Sequence, residues 1–128
     1  MTQEEKQILL RDLCARLPYG TVVLTGYDQE ARYWNEQKFL ETLLTSLVYE
    51  AFSKNLITFC KPYLRPMSSM TEKEKRKYDI LVEEIVYRPG VLTCSSLINF
   101  CYEHHLDDLG LIEKGLALEA PEGMYKTE

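Results

Sequence analysis

The sequence has no closely spaced cysteine pair, no glycine-rich phosphate loop, no long apolar run and no excess of positive charge. Each absence removes a class of function. Cys14, Cys60, Cys94 and Cys101 stand too far apart to form the paired spacings of a structural zinc site, so free, mostly buried thiols in a reducing compartment are expected. The six glycines build no phosphate-cradling loop, and Ser68 and Ser69 lie in no Gly-x-Ser-x-Gly context. No apolar stretch reaches the roughly 18 to 20 residues of a membrane-spanning helix. The opening "MTQEEKQILLRDLCARLP" is acidic and polar where a secretory leader is basic and then apolar. A cytoplasmic protein without a membrane partner is therefore expected. A net charge of −5 opposes unspecific attraction to phosphate backbones.

Apolar residues make up 45% of the 128 and charged residues 27%, which suits one hydrophobic core and a single domain, 1–128. Thr2 with Glu5 has the spacing of a capping box. Leu9, Leu10, Leu13, Cys14 and Leu17 then recur at helical spacing against a charged face of Glu4, Lys6, Arg11 and Asp12, giving a helix over 3–17 that Pro18 and Gly20 end. Thr21–Tyr27 is rich in β-branched residues and reads as a strand within a β-containing region, 21–60. Phe39–Phe52 fits a helical stripe and a β-hairpin layout equally, whereas Leu56–Cys60 reads as a strand. Pro62 and Pro66 then fix φ and remove donors, so the strand is expected to stop before "KPYLRP". Thr71 with Glu74, or Ser69 with Glu72, caps a helix over 72–87, which carries the stripe Tyr78, Leu81, Val82, Ile85 and Val86. A third helix over 95–105 follows, capped by Thr93 or Ser95. Gly115 closes the next segment, and 116–128 is a tail that breaks at Pro121 and Gly123. The expected class is α+β, with three helices packed on a small antiparallel sheet.

Three blocks, "LCARLPYG" (13–20), "KPYLRPMSSMTEKEK" (61–75) and "GLIEKGLALEAPEGMY" (110–125), cover 39 of the 128 residues. On them the chain resembles a family of small proteins encoded by gut-dwelling anaerobic bacteria and their mobile elements. That family carries no assigned activity, so the resemblance implies no catalytic or binding residue. It implies an accessory role for a mobile element and favours strands in the variable segment between Thr21 and Phe59. In the last block relatives carry an aromatic and Tyr-Arg-Gly where this chain has "LDDLGLIEKG".

Three clusters of residues carry what chemistry there is. Tyr63, Leu64, Arg65, Met67 and Met70 gather aromatic, methionine and arginine side chains of the kind favoured in interface cores, on a turn expected to be exposed. Lys61, Arg65, Lys73, Lys75, Arg76 and Lys77, with Tyr63 and Tyr78 among them, form the one basic and aromatic cluster that suits phosphate contacts, although Glu72, Glu74 and Asp79 dilute it. Cys101, His104 and His105, with Asp107 and Asp108 nearby, offer zinc ligands without a second pair, and Cys101 lacks the oriented partners of a nucleophile. The sequence thus points to a non-enzymatic module without cofactor that binds another protein, with nucleic acid as the alternative partner and zinc as a more distant one.

Overall fold

The computed structural model describes residues 1–26 and 40–125. Along them run α1 (Gln3–Arg16), β1 (Val22–Gly26), β2 (Leu40–Leu43), α2 (Ser46–Ser53), β3 (Phe59–Leu64), α3 (Glu72–Tyr87), α4 (Val91–Glu103) and β4 (Leu118–Glu119). The class is α+β as expected. Among the described residues there are four α-helices rather than three, and the sheet is mixed rather than antiparallel. Its order is β2-β1-β3-β4, with β1 antiparallel to both neighbours and β4 parallel to β3.

Both expected capping boxes form. The Thr2 hydroxyl accepts from the Glu5 amide at 3.1 Å while Glu5 takes the Thr2 amide at 2.9 Å, and Thr71 with Glu74 repeats the arrangement at the head of α3. Ser69 takes no part, since its hydroxyl donates to the Pro66 carbonyl. A 3-10 turn over Leu17–Tyr19 follows α1, and Gly20 closes it at φ +69, where a side chain would be strained. Leu9 and Leu13 bury against Val23, Leu44, Phe52 and Cys60, forming the core between α1, α2 and the sheet. Asp12, expected on the charged face, is buried beside Arg16 instead.

The middle segment is neither all helix nor all hairpin. Leu40–Leu43 pairs with β1, and then Thr45, whose hydroxyl accepts from the Val48 amide, starts α2. Phe39 and Tyr27 lie outside the described residues.

The strand expected over Leu56–Cys60 begins later and runs through the first proline, over Phe59–Leu64. The register explains how. The Gly26 carbonyl accepts from the Thr58 amide, so by alternation Val23 points its polar groups at β2 and its partner Pro62 points away from β1. On that far side β4 begins at Leu118, opposite Tyr63, so no β4 carbonyl lies level with the Pro62 nitrogen. The donor that Pro62 lacks falls where no ladder bond is made, so a position inside the sheet behaves as an edge.

α3 and α4 form an antiparallel helical hairpin. Leu81, Phe100 and Cys101 form its core with Leu106, and Tyr78, Leu97, Met67 and Met70 pack around them. α4 starts at Val91, four residues before the expected Ser95. Thr93 does not cap it, because its hydroxyl donates back to the carbonyls of Arg88 and Gly90, each at 2.9 Å. A third small core joins Leu64 to Leu111, Leu116 and Ala117. The expected loose tail is tied down twice. The Ala120 amide donates to the Leu64 carbonyl at 2.8 Å, and the Tyr125 hydroxyl takes the Val22 amide at 2.9 Å and donates to the Tyr63 carbonyl at 2.7 Å. Tyr125 therefore bridges β1 and β3 where their ladder opens. All four cysteines are free, Cys60 and Cys101 buried, Cys14 and Cys94 exposed.

Candidate functional site

The turn after β3 is built around Arg65. Strand alternation sends Leu64 into the C-terminal core, where it is fully buried, and the bend at Pro66 lets the next residue fold its guanidinium under the head of α3. There Arg65 Nη1 and Nη2 reach the two oxygens of Glu74, each at 2.8 Å, and donate further to the carbonyls of His104 (3.1 Å) and Ser69 (3.0 Å). Such a fork is the strongest geometry an arginine and a carboxylate can share. Glu74 Oε1 also accepts the Thr71 amide at 2.8 Å, and Oε2 faces His104 Nδ1 at 2.9 Å. Hydrogen bonds from Arg65 lead the effects that hold the Glu74 carboxyl down to about 2.

This geometry corrects both readings of the turn. Leu64 and Arg65 are buried, and Met67 and Met70 pack onto the hairpin core, so none of the four is a free docking residue. Tyr63 is half-buried on the other sheet face and donates to Glu41 at 3.0 Å. Burial, followed by that carboxylate, raises its hydroxyl above the ordinary value. The basic cluster is divided in the same way. Arg65 is consumed inside the fold, and Lys61 lies on the sheet with Nζ 5.0 Å from the Phe59 ring. Lys73, Arg76 and Lys77 remain exposed on α3.

The zinc candidates do not converge. Cys101 is buried, and desolvation pushes its thiol up to about 11, which leaves it unsuited to nucleophilic or metal chemistry. His104 turns to Glu74. His105 stacks on Tyr125 with ring centroids 3.7 Å apart, and its Nδ1 lies 3.4 Å from the Thr21 hydroxyl. Burial, then the charges of Arg16, Arg65 and His104, lower the His105 imidazole to about 4. Among the described residues no three His, Cys, Asp or Glu side chains are placed to hold a metal ion.

Sequence reasoning missed two features. One is an ionic trio, buried at Arg16 and Asp12 and open to solvent at Asp108, in which Arg16 Nε holds Asp12 at 2.8 Å and Nη2 reaches Asp108 at 3.2 Å and the Leu106 carbonyl at 2.9 Å, with Tyr102 against the guanidinium. It ties α1 to the loop after α4. The i,i+4 spacing of Asp12 and Arg16 was the available signal.

The other is the surface of the hairpin. Where α3 meets α4, Val86, Tyr87, Val91 and Leu92 are 70%, 80%, 82% and 85% exposed. One groove between the two helices is polar, lined by Lys77, Glu84, Ser96, Asn99 and Glu103 around Leu81 and Phe100. At 100° per residue, Val82 and Val86 leave α3 on the opposite flank, and Val91, Cys94 and Ile98 do the same on α4. The hairpin is therefore amphipathic from side to side, and its apolar flank faces solvent. Large apolar side chains grouped on a surface in this way mark contact sites.

Comparison with models of known protein families finds no match, and comparisons with curated proteins and with solved structures find none either. Among the described residues no helix is long and apolar enough to cross a membrane.

Proposed function

We propose that the chain is a non-enzymatic protein-interaction module that docks through the apolar flank and tip of the α3–α4 hairpin. The observation that carries this reading is the exposure of Val86, Tyr87, Val91 and Leu92 at one end of two packed helices. Two antiparallel helices with an apolar flank are two-thirds of a three-helix bundle, so the occupant that fits is an amphipathic helix of another protein. Val91 to Ile98 spans about 10 Å of helix axis, enough for some two turns of the incoming helix. The net charge of −5 favours a partner helix with a basic outer face. The turn at Tyr63–Met70 supports the hairpin rather than meeting the partner.

A helical peptide with leucines at i, i+3, i+4 and i+7 and lysines elsewhere serves as the probe. Wild-type protein should bind it saturably, and the triple variant Val86→Ser, Val91→Ser, Ile98→Ser should not. Because all three side chains are exposed, the variant should remain folded, with stability changed by no more than about 0.5 kcal/mol per site. No binding by the wild type, or equal binding by both proteins, rejects the proposal.

A further inference from the structure

We draw no further inference here: the strongest candidate, the depression of about 520 Å³ between the turn after β3 and the C-terminal segment, carries nothing, because its one buried charged side chain, Arg65, is already engaged by Glu74 and two backbone carbonyls, which leaves only the exposed carboxylates of Glu119 and Glu122 with no second feature that points to a ligand.

Discussion

Arg65 decides how the most distinctive stretch of this sequence is understood. In "KPYLRPMSSMTEKEK" Leu64, Met67 and Met70, which look like part of a recognition surface, pack into the fold, and the arginine that looks available for phosphate is forked onto Glu74. The sequence could not show this, because Arg65 and Glu74 are nine residues apart and nothing local tells a bridging arginine from a free one. Arg65→Met should cost about 3 to 5 kcal/mol, since it leaves Glu74 buried and uncompensated. A denaturation midpoint within error of wild type would contradict that role. Tyr125 is a second residue whose part is invisible in the sequence. Tyr125→Phe keeps the ring on His105 but removes the hydroxyl that joins Val22 to Tyr63, and should cost about 1 to 3 kcal/mol by leaving backbone groups unpaired. His105 sets a pH dependence. Unfolded, it takes up a proton near its ordinary value of 6.5, whereas in the folded protein it stays neutral until about 4. The unfolded state therefore binds more protons between those values, and stability present above about pH 6.5 is lost as pH falls towards 4. Urea midpoints at pH 7 and 4.5 should differ less for His105→Asn than for wild type, asparagine being a residue that tolerates the left-handed φ of 57 at this position.

At the scale of the element, helix starts were the most legible feature and chain pairing the least. The Thr2/Glu5 and Thr71/Glu74 boxes are local, with partners three positions apart, and form as their spacing implies. Ser69 offered an equal alternative in sequence, and the structure separates the two. Thr71→Ala should lower stability by about 1 kcal/mol, and Ser69→Ala should lower it less, because Ser69 touches the Pro66 carbonyl and no free amide of α3. Equal losses from the two would contradict the assignment. β3 shows why strand limits were harder to read. Pro62 reads as the end of a strand, yet its nitrogen faces away from β1 at a level where β4 has not yet begun, a fact fixed by register with a partner some 40 residues away. The ambiguity of Phe39–Phe52 was real for a related reason. One apolar run serves a strand up to Leu43 and a helix from Ser46, and the cap at Thr45 that divides them is a single residue.

Across the whole molecule the fold class was readable and the candidate surface was not. Composition and periodicity place the chain among α+β proteins, because apolar residues at spacings of two and of 3.6 both recur along it. They do not reveal which stripes find partners. Val82, Val86, Val91 and Ile98 have the same pattern as residues that are buried, and only the packed hairpin shows that this flank meets nothing in the chain as described. The sheet core, the C-terminal core and the hairpin core are three separate clusters, joined by Arg16, Arg65 and Leu106. An exposed apolar flank on the hairpin can therefore engage a partner without disturbing the core beneath α1. Amide hydrogen exchange of the full chain, with and without the amphipathic helical peptide, tests this most directly. The account predicts that added protection falls within Val82–Ile98 and leaves Lys61–Met70 unchanged. Protection centred on Lys61–Met70, with Val82–Ile98 unaffected, would contradict it.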